Sequence, residues 1–142
     1  MDKKYAAQEA ITHSMMGSLG LKLIEEKEGF IRASMPVNDN TSQPFGVLCG
    51  GASLAFAEII AGYGSYLCCP EGFIPVGSSV SGNHVSSVRK APDVLVYAEA
   101  TALHLGRTTH LWNVDIKNRN GRLVSTVRVT NFIVKDKSES WK

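Results

Sequence analysis

One stretch of the sequence decides the fold of this chain: residues 43–65 read QPFGVLCGGASLAFAEIIAGYGS. They are apolar or small almost throughout, yet Glu58 places one carboxylate near their middle. A helix that is apolar on nearly all faces is normally a buried core helix. A membrane span is the alternative, but a carboxylate at the bilayer centre costs about 3 kcal/mol on insertion scales. We therefore predict a buried helix within Gly46–Cys69, whose single charge has to be explained.

The rest of the chain is predicted to form one more helix and six strands. Apolar residues at helical spacing predict a short N-terminal helix over Tyr5–Met16. Apolar and polar residues alternate on both sides of Glu28-Gly29, as in a hairpin with its turn there. Four stretches rich in β-branched and aromatic residues predict strands at 74–88, 94–105, 109–118 and 122–134. The order α-β-β-α-β-β-β-β is typical of an α+β protein whose antiparallel sheet wraps around one helix.

Composition limits the number of domains and the kinds of partner. With 142 residues, 44% hydrophobic and 20% charged, the chain is predicted to be a single globular domain, 1–142. Its core would span about 15–134, and the polar tail Lys135–Lys142 is predicted to be disordered. The net charge of +2 is too small, and the basic residues too scattered, to indicate a nucleic-acid partner.

The cysteines and histidines argue against disulfides and metals. There are three cysteines, an odd number, and the first residues contain no continuous apolar segment of a secretion signal. These features predict a cytoplasmic protein without a disulfide framework. The four histidines show no ligand-like spacing, and the adjacent Cys68 and Cys69 cannot easily converge on one tetrahedral ion. We therefore expect no metal.

Four motifs carry a resemblance to a known family. They read MPVNDNTSQPFGVLCGGASLAFAE, VGSSVSGNHVSS, ALHLGRTTHLWNVDI and NGRL. In this order and spacing the chain resembles the hotdog-fold acyl-CoA thioesterases, in the branch that includes 1,4-dihydroxy-2-naphthoyl-CoA and hydroxybenzoyl-CoA thioesterases. The resemblance covers about residues 15–134. It implies hydrolysis of an aromatic or aryl-like acyl-CoA to the free acid and CoA, without a cofactor.

The chemistry of thioester hydrolysis requires two kinds of group. Hydrogen-bond donors must meet the developing oxyanion, and a carboxylate must attack the carbonyl or deprotonate water. The paired Gly50 and Gly51 at a helix start allow close approach to unpaired N–H groups. The resemblance places the oxyanion donor on Gly50, the base or nucleophile on Glu58, and a carbonyl-side amide on Gln43. From the residues alone, a buried Glu58 either forms a structural ion pair or carries a raised pKa suited to base chemistry, and Gln43 could instead be a loop residue that hydrogen-bonds the backbone.

The spacing of these residues on the helix predicts that the site is shared between subunits. Gly50 and Glu58 are eight residues apart, which is about 12 Å along a helix at 1.5 Å per residue. Both groups cannot then reach one thioester carbon, so a second chain must complete the site. The resemblance implies the same: a homodimer with shared active sites, commonly paired into a tetramer.

Two positions depart from the family pattern. Cys49 stands where relatives commonly have a His before the paired glycines, and a thiol is a much weaker donor than an imidazole. Cys49 could be a thiolate nucleophile, favoured by the helix N-terminus, or a small packing residue. Gly62 stands where the family often has a Ser or Thr that holds the attacking water. Water must therefore be held differently here.

The resemblance also implies where CoA binds. Pantetheine and phosphates would lie along a glycine and two short segments, namely Gly77; His84, Val85, Ser86 and Ser87; and His104, Leu105, Gly106, Arg107, Thr108 and Thr109. Arg89 would add positive charge at the rim. The alternatives are that His84 and His104 are satisfied strand histidines, and that Arg107 is a solvated loop charge.

Two other classes of function remain open at this point. One is a non-catalytic acyl-CoA-binding hotdog module, which Cys49 and Gly62 favour. The other is a hotdog hydratase or dehydratase, although the Asp and His that such enzymes place on the central helix are missing. Glu58 argues against the pure binding module, since a carboxylate buried in an apolar helix has little benefit without a role.

Overall fold

The structure is a computed structural model, and it describes residues 8–141. Three helices and six strands follow one another as α1 (Gln8–Thr12), α2 (Met15–Ser18), β1 (Lys22–Lys27), β2 (Phe30–Pro36), α3 (Gly50–Cys68), β3 (Phe73–His84), β4 (Leu95–Leu105), β5 (Thr109–Lys117) and β6 (Leu123–Lys135). The strands form one sheet in the order β1-β2-β4-β5-β6-β3, and every neighbouring pair is antiparallel. The predicted α+β hotdog architecture is confirmed.

The long helix α3 packs on the inner face of this sheet and contacts five of its strands. The buried side of α3 consists of Ser53, Phe56, Ala57, Ile60, Ala61, Tyr63, Gly64 and Ser65. These residues meet inward side chains of the strands, such as the fully buried Trp112, Val114 and Ile116 of β5. Alternation along the strands therefore builds the core. No helix among the described residues is long and apolar enough to cross a membrane.

Turn chemistry fixes several boundaries. Gly29 in the β1–β2 turn and Gly121 in the β5–β6 turn both have positive φ, 76° and 83°, a region that glycine enters without steric cost. The turn predicted at Glu28-Gly29 is confirmed. The helix α3 begins at Gly50, at the paired glycines as predicted; residues 43–46 before it form a tight turn in which the Gly46 N–H donates to the Gln43 carbonyl.

Three boundaries differ from the sequence-based expectation. The N-terminal helix is split, because Ser14 is extended and starts α2 separately; residues 5–7 of the predicted helix lie outside the described part. The strand predicted to reach residue 88 ends at His84, since the N–H groups of Val85 and Ser86 both donate to the Val124 carbonyl. The predicted disordered tail instead contains the end of β6 and a short 3-10 helix, Ser138–Trp141.

Strand β3 lies at one edge of the sheet. It pairs with β6 on one side, and within the described chain its other side has no strand partner. From Gly77 to His84 almost every residue of β3 is exposed. This part of β3 reads GSSVSGNH, with a register shift between Gly77 and Ser79. The strand therefore offers a long row of unpaired backbone groups beside α3.

Candidate active site

The N-terminus of α3 presents free backbone donors. Cys49 is the N-cap residue, and its carbonyl accepts the N–H groups of Ala52 and Ser53 at 3.0 and 3.2 Å. Within residues 8–141, the N–H groups of Gly50 and Gly51 have no acceptor. They lie at the positive end of the helix dipole, where an oxyanion is stabilised.

Gln43 lies in the turn before this helix and is half-buried. Its backbone N–H donates to the Val47 carbonyl at 2.9 Å, and its amide oxygen accepts the N–H of Phe45. The loop contact foreseen as an alternative for Gln43 is thus present. It uses only the amide oxygen, so the amide NH₂ group remains available to donate. The contact with Phe45 therefore fixes the orientation of the Gln43 amide and leaves its NH₂ group able to donate.

Glu58 lies two turns further along α3, on the side of the helix next to the edge strand β3. Its side chain is exposed in the single chain, and no other described residue forms a hydrogen bond or ion pair with it. A Cβ at Gly77 would lie 2.8 Å from Glu58 Oε1, so the carboxylate rests against bare backbone of β3. The prediction that Glu58 is buried is wrong for the single chain. Both the inward and the outward face of α3 are apolar, so hydrophobicity alone does not show which face is buried.

His84, at the end of β3, contacts the other end of the helix. A Cβ at Gly50 would lie 2.5 Å from His84 Nε2, so the imidazole edge lies directly against the first residue of α3. His84 Nδ1 is 2.7 Å from the Ser125 hydroxyl oxygen. The prediction that His84 is a satisfied strand histidine covers only one of its two nitrogens.

These contacts define two ends of the candidate site. The glycine end comprises Gln43, Cys49, Gly50, Gly51 and His84. The carboxylate end comprises Glu58, Gly77 and the β4–β5 turn, residues 104–109. On β6, Ser125 pairs with His84, whereas Asn131 pairs with both Gly77 and His110. Six residues of strand separate the two positions, about 20 Å at 3.3 Å per residue.

The residues predicted to bind CoA are divided between these ends. Gly77, His104, Leu105, Gly106, Arg107, Thr108 and Thr109 belong to the carboxylate end, and His84, Val85, Ser86, Ser87 and Arg89 lie at or beside the glycine end. The structure does not bring the two groups together in one chain. Gly62 lies one turn beyond Glu58 and is half-buried.

The β4–β5 turn is held by its own backbone and by an adjacent histidine. The Gly106 N–H donates to the Thr109 carbonyl at 2.9 Å, and Ile133 of β6 donates to the Thr108 carbonyl at 2.9 Å. The His104 ring lies against Gly106, since a Cβ there would be 2.5 Å from His104 Nε2. Arg107 is exposed at the tip. The turn thus presents a cation and backbone groups on a fixed frame.

A buried polar network supports this turn, and the sequence analysis missed it. The Ser65 hydroxyl oxygen is 2.8 Å from Trp112 Nε1, 3.0 Å from Asn131 Nδ2 and 2.9 Å from His110 Nδ1. Trp112 and Asn131 can only donate to it, so Ser65 donates its own hydrogen to His110. His110 is therefore neutral, with its proton on Nε2. The sequence contained one signal for this network: His110 and Asn131 lie at inward-facing positions of β5 and β6, where polar residues need buried partners.

This network predicts a pH dependence of stability. Burial lowers the pKa of His110 from its ordinary value of 6.5, a backbone hydrogen bond with Gly106 opposes this, and the charge of His104 adds to the lowering. Below pH 6.5, His110 is protonated in the unfolded chain but remains neutral in the folded chain. The free energy of unfolding should therefore fall as pH decreases. His110→Asn keeps an acceptor for Ser65 and should flatten this fall in urea denaturation at fixed protein concentration. His13→Asn, at an exposed site, should leave the slope unchanged; an unchanged slope in His110→Asn would contradict the prediction.

The chain is similar to a known family and to proteins of known structure. A family model described as thioesterase superfamily matches residues 45–125. The chain is 36% identical over 121 residues to 1,4-dihydroxy-2-naphthoyl-CoA hydrolase of Escherichia coli, covering 85% of this chain and 87% of that protein. A crystal structure of a thioesterase from Haemophilus influenzae superposes with a TM-score of 0.83 at 36% identity, covering 89% and 87% of the two chains.

A thioesterase from Staphylococcus aureus has also been solved in two variant forms. In one a glutamine is replaced by alanine, and the TM-score is 0.80 at 33% identity, with 84% of this chain and 98% of that chain covered. In the other a glutamate is replaced by alanine, and the TM-score is 0.81 at 33% identity, with 86% and 99% covered.

The fold is that of the hotdog class, and the candidate site combines a helix N-terminus that has unpaired N–H groups with an exposed carboxylate. The chain belongs to the thioesterase superfamily, and it is a thioester hydrolase. This assignment favours hydrolysis over the non-catalytic and hydratase alternatives. Among residues 8–141, no three His, Cys, Asp or Glu side chains are grouped as metal ligands.

Proposed function

We propose that this protein is a cytoplasmic acyl-CoA thioesterase that hydrolyses aromatic or aryl-like acyl-CoA esters at sites shared by two subunits. One observation carries the proposal: the Gly50 N–H and the Glu58 carboxylate are both unpaired among the described residues, and they lie two turns apart on the same helix. Neither group has another partner among the described residues, and together they are what thioester hydrolysis needs. Only a second chain can bring them to one carbonyl.

The proposed reaction uses the groups of both ends. Glu58 takes a proton from water, and the oxygen of that water bonds to the thioester carbon. The Gly50 N–H and the Gln43 amide stabilise the resulting oxyanion. The C–S bond then breaks, and the departing CoA thiolate receives the proton held by Glu58, leaving the free acid. Direct attack by Glu58, followed by hydrolysis of the mixed anhydride, would use the same residues.

The Staphylococcus aureus variants support the choice of residues. The glutamine and the glutamate replaced by alanine in those two structures are fifteen residues apart. Gln43 and Glu58 have the same separation, fifteen residues. The same pair of residue types, at the same spacing, was thus chosen for substitution in a 33% identical thioesterase.

The exposed edge of β3 supports the proposed dimer and suggests its register. Glu58 contacts Gly77, and Gly50 contacts His84. If two β3 edges pair antiparallel with Gly77 opposite His84 of the partner subunit, each Glu58 approaches the partner's glycine end. This pairing also brings the β4–β5 turn of one chain toward residues 84–89 of the other. The divided CoA residues would then form one path, with Arg107 and Arg89 near the phosphates. Pairing of dimers into a tetramer remains our expectation.

An apolar cavity lined by Ile59, the residue that follows Glu58, supports the proposed acyl specificity. Ile59 lines a cavity of about 250 Å³ together with Ala10, Ile11, Ser14, Met15 and Met16. Apolar walls favour an uncharged acyl group, and methionines adapt to ring edges. The Escherichia coli relative is named for a naphthoyl-CoA substrate. Both observations favour an aromatic acyl group over a polar one.

A panel of acyl-CoA esters tests the proposed function. Released CoA thiol should show kcat/KM for naphthoyl-CoA and benzoyl-CoA at least about tenfold above that for octanoyl-CoA, a difference of about 1.4 kcal/mol in transition-state binding. Met15→Trp, which fills the cavity, should lower kcat/KM for naphthoyl-CoA and spare acetyl-CoA. Ile24→Trp, at an exposed position on β1, is the matched control. Equal rates for all esters would refute the aromatic preference.

Cys49 is expected to be dispensable for the chemistry. Its thiol has no hydrogen-bond partner among the described residues, so no general base is in place to take its proton. Cys49→Ala should keep kcat within about threefold of the native value, less than 1 kcal/mol of activation free energy. Loss of all turnover in this variant, or an acyl group trapped on Cys49 in native enzyme by mass spectrometry, would show that the thiol is the nucleophile.

A further inference from the structure

The position of His84 is unusual for a residue expected to contact CoA. Its ring lies against Gly50, where an added Cβ would be 2.5 Å from Nε2, 2.6 Å from Cδ2 and 3.2 Å from Cε1. Any side chain at position 50 would displace the imidazole. Because Gly50 has no side chain, there is room for the His84 ring, and Nε2 can lie next to the free N–H groups of the helix terminus.

The hydrogen bond to Ser125 determines which nitrogen of His84 can donate. Ser125 is 1% exposed, and its hydroxyl oxygen lies 2.7 Å from His84 Nδ1. A buried hydroxyl needs an acceptor for its hydrogen, and Nδ1 of the neutral ring provides one. The proton of the neutral imidazole is then on Nε2. If the ring is charged, Nε2 carries a proton as well. In both states Nε2–H is a donor beside Gly50.

We propose that His84 is a catalytic residue whose Nε2–H, together with the Gly50 N–H, donates a hydrogen bond to the carbonyl oxygen of the bound thioester. This role rests on the proposed function of the glycine end. It assigns His84 to the reacting carbonyl, whereas the family resemblance places it along CoA. His84 thus joins the Gly50 N–H and the Gln43 amide of the proposed reaction, and converging donors of this kind stabilise a tetrahedral intermediate. Ser125 acts through His84 as a positioning residue.

The proposal also accounts for Cys49. A thiol before the paired glycines supplies almost no donor strength. His84 reaches the same helix terminus from β3 and from the same chain, so an imidazole is present although residue 49 is not a histidine. In this protein the imidazole donor therefore comes from position 84 on β3 and not from position 49 before the glycines.

Kinetics of His84 variants provide the test. His84→Ala should lower kcat for a benzoyl-CoA substrate by about 10²-fold, as loss of one oxyanion donor does elsewhere, with KM changed less than about threefold. His84→Gln retains an N–H donor and should lose less. Ser125→Ala should lower kcat by a smaller factor, with KM unchanged. Adding Cys49→His to His84→Ala should recover part of kcat, because an imidazole returns to the helix terminus. His13→Ala is the control that should match native enzyme.

Binding of two inert analogues separates this role from others. A ketone analogue, with CH₂ in place of sulfur, keeps the carbonyl oxygen, whereas a thioether analogue replaces the carbonyl by CH₂. His84→Ala should weaken the ketone analogue at least about fivefold and the thioether analogue less than twofold. A raised KM with unchanged kcat, or equal weakening of both analogues, would overturn the proposal and leave His84 as a CoA-binding residue. Native turnover of benzoyl-CoA, measured in parallel, tests the proposed function separately.

Discussion

Glu58→Gln is expected to lower kcat for aromatic acyl-CoA hydrolysis by about 10³-fold or more, while folding and CoA binding stay nearly native. General base catalysis contributes typically about 10²–10⁴-fold, and glutamine has the shape of glutamate without its basicity. The side chain is exposed and unpaired in the described chain, so its loss leaves no buried group unsatisfied. Thermal unfolding should therefore barely change. Single-turnover thiol release and calorimetric binding of CoA measure the two effects.

A matched control for this variant is Glu28→Gln. Glu28 lies in the β1–β2 turn, at the sheet edge opposite β3. Its replacement removes the same charge from an exposed glutamate and should leave kcat and KM unchanged. If Glu58→Gln kept more than about a tenth of native kcat, less than about 1.4 kcal/mol of transition-state stabilisation would have been lost. Glu58 would then not be the base or the nucleophile.

Two inactive variants are expected to regain activity when their subunits exchange. Glu58→Gln keeps an intact glycine end, and Gln43→Ala with Gly50→Ala keeps an intact carboxylate end. In a hybrid dimer one of the two shared sites contains both native ends. An equal mixture with random exchange should therefore recover about a quarter of native activity per chain, given twofold symmetry. Thiol release before and after mixing measures the recovery.

The exchange has to be shown independently of activity. Native mass spectrometry of chains with different mass tags reports hybrid dimers directly. As a control, Glu58→Gln mixed with a second Glu58→Gln preparation should stay inactive, because no site in any combination has the carboxylate. Hybrid dimers without recovered activity, or a fully active monomer by light scattering, would place the whole site within one chain and refute the assigned residue roles.

Local sequence patterns were sufficient for the architecture. Strand positions follow from alternation and turn residues, which act between near neighbours, and the edges of the predicted elements shift only where the backbone finds another partner. The Val124 carbonyl, for example, takes the N–H groups of Val85 and Ser86 and ends β3 early. Burial of Glu58 could not be predicted correctly, because the outward face of α3 is itself small and apolar. That face carries residues such as Gly51, Ala55 and Gly62.

The contacts that define the site were less predictable because they join distant parts of the chain. Gly50 was assigned a backbone role from its position before a helix, but its contact with His84 requires β3 to run antiparallel to α3. The same holds for Ser65, which looks like a small helical residue until His110 and Asn131 meet it from two strands. The chemical groups of the site could be identified from the sequence, whereas the order of strands in the sheet determines which of them face one another.

The composition of the free β3 edge affects how readily a newly synthesised chain would aggregate before it assembles. An exposed strand edge is a template for pairing with any other polypeptide. From Gly77 onward β3 has two glycines, three serines and an asparagine around Val80, together with an irregularity in register, so it is a poor partner for a foreign strand. For the dimer that we propose, this composition would lower the tendency of a separate subunit to aggregate through its β3 edge. In the proposed dimer, selectivity would come from Glu58 and the glycine end behind this edge, which a second copy of the chain complements.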